Sequence, residues 1–557
     1  MKKENLVLGI CSLFLLVIFG KMLKTEWVDI EKITSKKQLI RVLKKEKNTS
    51  HFDSRSCRGI DDGKVLRPAV VKTCEGVSDI SSGRVLSPSS LKSSTGSVTS
   101  SSSSKVSENF SKTNVQEEGI DEGDTIKTDG AYFYEVSDKK VTKLDLKGKV
   151  KKSISFGKGV TPEELYVDKK NVIVIGKDDV YTFVNIYDKK SMKKQQELKM
   201  EGSALGVRKI NDKMYVVIDK EINGYNDYSL PEYKDSVSTG KKEINFNDFH
   251  YGTKRKLDEY ITIYAFSTTK KEPVHMSTFL GSGNGIYMSD NAIYLTATED
   301  SDTVIHKFAI DKENVSFERI GKVTGRTLNQ FSMDEYKDNI RIATTDGTGN
   351  YIHVLNEKLK PVGSVEKLAI GEQIKSVRFM GDKGYVVTFK EVDPLFTLDL
   401  KDPTHPIVKG ELKIPGYSSY LHPYDNHHLI GFGVDEGIKI SLFDVENMRY
   451  PVEEFSEIFG DSSTKSSALE NHHAFFFSKE DNLVGFPLSG INNSSYYILM
   501  KINKKTGMDV KRIIKLSSEE DEPRTFYIGK KLYIVSNGKV QAYDRKTLEK
   551  KNAEKID

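Results

Sequence analysis

The chain predicts an all-β fold, a β-propeller of four-stranded antiparallel blades, and three observations carry that expectation. One phrase keeps returning: turn residues drawn from Asp, Asn, Gly and Lys, then a dense run of Tyr, Val and Ile. The copies lie mostly ~40–50 residues apart, the period of a propeller blade. The sequence between copies divides into short extended runs with tight connections, as in 373–379, 385–389, 395–400 and 407–412, and four such strands make one blade.

The first copy reads Thr128-Asp129-Gly130-Ala131-Tyr132-Phe133-Tyr134 and the second Asp168-Lys169-Lys170-Asn171-Val172-Ile173-Val174-Ile175. Others begin at Asn211, Ser289, Gly381 and Gly529, with looser ones at Asp338, Asn426 and Asn471. Each places turn residues between β-rich runs and is a hairpin signal. Nine copies give nine units. If the first and last share one blade, with residues near Asn114 and Gln116 closing the ring, the count is eight. The propeller is expected over 113–557. Polar sequence at 223–255 interrupts one unit and is expected to project from one rim, and 460–467 is a second, Ser/Thr-rich loop. Such insertions usually line the binding face.

Three segments precede the propeller. Lys2 and Lys3 stand before an unbroken apolar or small run over 6–20, with Lys21 and Lys24 behind it. As a helix this run spans ~22 Å against a ~30 Å hydrocarbon core, and Met22, Leu23 and snorkelling lysines extend its reach. Phe19-Gly20-Lys21 offers no A-x-A-like cut, so an uncleaved, single-pass signal anchor over 1–24 is favoured over a cleaved signal peptide. The polar remainder is then placed on the extracytoplasmic side of the cell membrane. Residues 25–47 predict a short amphipathic helix, its stripe made by Ile30, Ile33, Leu39, Ile40 and Leu43, with Thr34 or Ser35 as cap. Packing on the propeller is favoured over docking on a membrane surface. Residues 48–112 carry repeated serines and little to bury, which predicts a flexible tether.

The bulk numbers exclude little but are useful. With 85 basic and 80 acidic residues the net charge is only +5, which gives no case for nucleic acid. Cys11 lies in the apolar run, and Cys57 and Cys74 lie before the repeats, so the propeller has no disulfide framework. A Cys57–Cys74 bridge would contribute ~3 kcal/mol locally, and free thiols are an equal alternative.

Chemistry-bearing residues are sparse. Asp121, Glu122, Asp124 and Asp129 are the densest source of hard oxygen ligands and the candidates for Ca²⁺, although the spacing of an EF-hand loop is missing. The competing reading is a solvated loop whose carboxylates cap turns. His427-His428 and His472-His473 are pairs, with His405 and His422 nearby. On a strand, neighbours point to opposite faces, so each pair is expected to give at most one ligand to a site. There is no G-x-S-x-G nucleophile elbow. Gly281-Ser282-Gly283-Asn284-Gly285 lacks the Lys-Ser/Thr of a phosphate loop and reads as a turn. The single Trp27 lies outside the blades, which disfavours quinone-dependent and sialidase-like propellers.

The run Thr113-Asn114-Val115-Gln116-Glu117-Glu118-Gly119-Ile120-Asp121-Glu122-Gly123-Asp124-Thr125 resembles a family opening. Gln330-Phe331-Ser332-Met333-Asp334-Glu335-Tyr336, Ser376-Val377-Arg378-Phe379-Met380-Gly381-Asp382 and Leu412-Lys413-Ile414-Pro415-Gly416-Tyr417 extend the likeness. The chain is similar to secreted bacterial and archaeal proteins with a C-terminal β-propeller distantly related to WD40 repeats. The match covers about 113–557 and departs at Gly123, where the family has Ala. It implies a propeller outside the membrane and no catalytic residues.

The function expected is a binding or scaffold module for an envelope protein, a peptide or a cell-wall glycan, more plausibly not an enzyme. The alternative is a metal-assisted hydrolase or lyase with its site in the channel. Three convergent His or carboxylate groups in the channel would favour the enzyme, and a channel of small and apolar residues would favour binding.

Overall fold

The computed structural model describes residues 29–53 and 110–551, apart from 223–227, 239, 254, 312–313, 391–392 and 519–521. The apolar run 6–20, both tether cysteines and most of the Ser-rich tether lie outside the described residues. Among the described residues, no helix is long and apolar enough to cross a membrane.

Why the phrase repeats is clear from one blade. Asp168 Oδ1 accepts hydrogen bonds from the Lys170 and Asn171 N–H groups at 2.8 and 2.7 Å, which closes the turn. The chain then runs up the strand Asn171–Lys177, buried along nearly its whole length. This second strand is covered on both faces by neighbouring blades, so its apolar residues do not alternate with polar ones. The outermost strand of blade 1, Val150–Ser155, is mostly exposed and carries lysine and serine.

Among the described residues the strands form nine separate sheets whose blade strands pair antiparallel, and the propeller has nine blades. The first and last units do not share a sheet, which removes the eight-bladed alternative. Blade 1 (Ile126–Thr128 to Val150–Ser155) and blade 9 (Arg524–Ile528 to Lys539–Asp544) meet face to face instead. Ile126, Phe133 and Leu144 pack with Phe526, Tyr533 and Val535, and eight similar clusters join the other consecutive blades. Apolar burial between blades therefore closes the ring. Among the described residues blade 9 has three strands, with a bridge between Tyr543 and Lys550 beside the third.

Eight of the nine phrase copies are second strands of blades. The copy at Asn471 is not: His472–Ala474 is a 3₁₀ turn, and the second strand of blade 8 is Leu483–Ile491. Gly485 and Pro487 interrupt the Tyr/Val/Ile run there and hide it.

The insertion at 223–255 does not project freely from a rim where it is described. Glu232–Asp235 and Lys241–Glu243 add outer strands to blade 2, and Phe249–Gly252 adds one to blade 3. The strand Ile30–Lys32 pairs with Phe249–Gly252, and the helix Lys36–Asp53 follows it. Ser35 Oγ accepts from the Gln38 N–H at 3.3 Å while Gln38 Oε1 accepts from the Thr34 N–H at 2.9 Å, a reciprocal cap. Ile33, Leu39 and Leu43 are buried in the cluster shared by blades 2 and 3.

Candidate functional site

The segment from Phe110 to Asp124 does not lie on any blade; it crosses the mouth of the channel and ties blades together. Ser111 N–H donates to Tyr527 O of blade 9 at 2.9 Å. Asn114 Nδ2 donates to His472 O of the loop before blade 8 at 3.2 Å, and Gln116 Nε2 to Gln330 O before blade 5 at 3.3 Å. Asp121 then pairs with Lys209 on the inner strand of blade 3, and Asp124 with Leu165 on that of blade 2. Gly123 has a local reason. A Cβ there would lie 2.2 Å from Glu164 Oε2, so this chain seats a carboxylate where an alanine methyl would stand.

A buried polar cluster forms under this segment. Glu122 is fully buried, with Oε1 accepting from the Gln116 N–H at 3.0 Å and lying 3.7 Å from Arg208 Nε. Its Oε2 faces two imidazoles, His473 Nε2 at 3.2 Å and His472 Nε2 at 3.5 Å. Asp124 is held by Arg524 Nε at 2.9 and 3.0 Å, and its Oδ2 stands 3.5 Å from His473 Nδ1. Arg378 donates to Leu421 O at 2.9 Å and lies over the Phe331 ring, while Tyr420 OH meets His422 Nδ1 at 2.9 Å.

Burial decides the charges. It pushes His422, His472 and His473 well below the usual imidazole range, with neighbouring positive charges adding to the effect, so the three are neutral near pH 7. Burial also pushes Glu122 up to about 8 against the opposing pull of Arg208. At that value Glu122 holds its proton near pH 7 when no cation is bound. Neutral imidazoles beside a carboxyl group can act as proton acceptors, or as metal ligands with a cation displacing the carboxyl proton.

The four acidic residues singled out in the sequence go to different partners. Asp121 pairs with Lys127 at 2.6 Å, and Asp129 pairs with Lys189 at 3.0 Å and caps the first hairpin turn through the Ala131 and Tyr132 N–H groups. Only Glu122 and Asp124 reach the channel cluster. The histidine pairs differ from each other. His428 opens the strand His428–Val434 and is buried against Asp425 at 2.8 Å, whereas His427 lies in the bend before it and is exposed. His472 and His473 instead both turn inward, because a 3₁₀ turn capped by Asn471 Oδ1 replaces the strand, and their rings lie 4.1 Å apart. The expectation that the two neighbours point to opposite faces fails here for that reason. Arg208, Arg378 and Arg524 carried no local signal, since they come from three different blades.

Beside the cluster lies a cleft of ≈ 260 Å³. Asp124, His473 and Arg524 line its inner part, Phe477 its wall, and the exposed Lys112 and Glu118 its rim.

A model of the family described as Beta propeller domain matches residues 110–548. An uncharacterized protein of Archaeoglobus fulgidus is 28% identical over 548 residues, covering 80% of this chain and 84% of the relative. An uncharacterized protein of Methanocaldococcus jannaschii is 29% identical over 523 residues, covering 78% and 82%. Among solved structures, BamB from Moraxella catarrhalis is similar over 57% of this chain and 83% of its own, at 12% identity and a TM-score of 0.31.

Proposed function

The chain belongs to the Beta propeller domain family, and we propose that its propeller is an extracytoplasmic binding module held to the cell membrane by the apolar run 6–20. Its ligand is a segment of an envelope protein, a peptide or a wall glycan, taken up at the channel mouth. The observation that carries this reading is the cleft of ≈ 260 Å³ over a channel closed by the chain's own 110–124 segment. A ligand there meets a preformed floor with an aromatic wall and a charged rim, the mixture that small recognition sites use. The lysines around the apolar run and the Ser-rich stretch behind it support a tethered arrangement.

The convergence of Glu122, His472 and His473 is the feature expected of the enzyme alternative and supports it as a second reading, while the burial of all three beneath the 110–124 segment keeps binding at the channel mouth first. The enzyme would be a metal-assisted hydrolase or lyase working from the same cleft.

The test is capture. Residues 29–557, which keep the docked helix, are immobilised and exposed to solubilised envelope from the source cells. Bound material is identified by mass spectrometry and glycan analysis. Saturable capture without a released product, reduced by Lys112→Glu with Glu118→Lys, supports the binding module. Capture unchanged by that pair sinks the cleft as the site, and release of a cleaved product moves the assignment to the enzyme.

A further inference from the structure

Three side chains in the channel bring ligand atoms close enough to share one metal ion. Glu122 Oε2, His472 Nε2 and His473 Nε2 lie 3.2 Å (Glu122 to His473) and 3.5 Å (Glu122 to His472) apart. The three residues offer atoms all within 4.8 Å of one another. Two ligands bound tetrahedrally at zinc's usual bond lengths are separated by ~3.3 Å.

An independent observation points the same way. The His472 side chain is 3% exposed, and its Nε2 makes no hydrogen bond among the described residues. A buried imidazole nitrogen without a hydrogen bond is costly unless something else occupies it.

The groups behind the triplet hold it in place. Glu122 Oε1 is fixed by the Gln116 N–H and faced by Arg208, which leaves Oε2 turned to the imidazoles. Asp124 backs His473 Nδ1 at 3.5 Å and is itself clamped by Arg524. Closed to hydrogen-bond distance, a carboxylate behind a ligating histidine sets its tautomer and raises its basicity. Arg208 and Arg524 each face a carboxylate, and Arg378, the third guanidinium of the cluster, donates to the Leu421 carbonyl and lies over the Phe331 ring. Two imidazoles and one carboxylate suit zinc and its first-row neighbours, whereas Ca²⁺ takes six to eight oxygens.

We propose that Glu122, His472 and His473 bind one zinc ion, which staples the 110–124 segment to the loop before blade 8. The ion joins residues some 350 positions apart in the chain (His473 and Glu122 differ by 351). It locks the closure of the channel whichever functional reading holds.

The test uses the full chain in detergent, stripped with a chelator and then titrated with Zn²⁺ or Co²⁺. One metal per chain is expected, with the visible bands of four-coordinate Co²⁺ and a rise in melting temperature that chelation reverses. Glu122→Gln and His472→Gln are expected to weaken binding more than about 100-fold, since each removes a direct ligand where even a supporting group is worth 10–100-fold. His428→Gln, in the separate cluster with Asp444 and Glu454, leaves it unchanged. If the channel variants do not fold, X-ray absorption of the zinc-loaded wild type decides, with two imidazoles expected in the coordination shell. No uptake by the wild type, binding of Ca²⁺ alone, undiminished binding in the folded variants, or a shell without imidazole would each overturn the assignment. Capture of a partner by chelated protein would leave the binding reading standing even then.

Discussion

Removing one ring at the junction of blades 1 and 9 tests whether the propeller is a closed circle of nine. Phe133 is fully buried, with its ring 5.7 Å from Phe526 and 5.4 Å from Tyr533, both on the last blade. Phe133→Ala should cost about 3–5 kcal/mol, the usual loss for a buried aromatic whose cavity closes only in part. The part owed to the ring pair should appear as a coupling of ~0.5–1.5 kcal/mol in a double-mutant cycle with Phe526→Ala. Phe432, fully buried and 5.0 Å from Phe486 across blades 7 and 8, is the internal reference. If every junction is equivalent, Phe432→Ala should cost about as much. The assay is urea unfolding followed by far-UV circular dichroism, with the slope compared among variants as a check on cooperativity. A Phe133→Ala cost under ~1 kcal/mol beside a full cost at Phe432, or no coupling to Phe526, would refute closure by packing at that junction.

Other consequences are as direct. Burial, helped by the charge of Arg255, lowers His306 from 6.5 to about 3. Between those values the unfolded chain holds a proton that the folded one lacks, so stability falls as pH drops through that window. His306→Gln should remove a slope of up to ~1.4 kcal/mol per pH unit from unfolding measured across acid pH, and an unchanged slope would contradict the assignment. Asp334 and Arg341 form a buried ion pair, 3% and 2% exposed. Asp334→Ala should cost about 3–5 kcal/mol by stranding the guanidinium, and adding Arg341→Met should recover part of it in the same denaturation assay. Gly433 has the Tyr417 carbonyl oxygen 1.8 Å from where a Cβ would go. Gly433→Ala should therefore lower stability by at least ~1–3 kcal/mol, visible as a lower melting temperature. Leu39→Asp places a charge in the cluster between blades 2 and 3 and should release the helix Lys36–Asp53. Limited proteolysis should then cut that helix faster while the circular dichroism of the blades is kept.

The repeating hairpins were legible in the sequence because each is a local event. A turn Asp or Asn capturing nearby N–H groups, as Asp168 does, and a second strand buried on both faces leave their mark within about ten residues. That is why the all-β propeller and most blade positions were readable without coordinates. Blade 8 escaped because Gly485 and Pro487 break its apolar run, and the insertion at 223–255 was misplaced because outer strands pair without any distinctive pattern.

By itself the sequence determined the fold class, the order of the blades and the identities of the chemically able residues, Glu122, Asp124 and the histidine pairs among them. Only the tertiary structure decided that the ring closes at nine, since closure depends on which faces of blades 1 and 9 meet. It also decided that Glu122 and Asp124 part from Asp121 and Asp129, and that His472 and His473 turn inward together. The physical reason is the same in each case. Strand and turn preferences act between near neighbours in the chain. The channel cluster instead joins side chains from a crossing segment, a 3₁₀ turn and several inner strands, which are brought together by burial between blades.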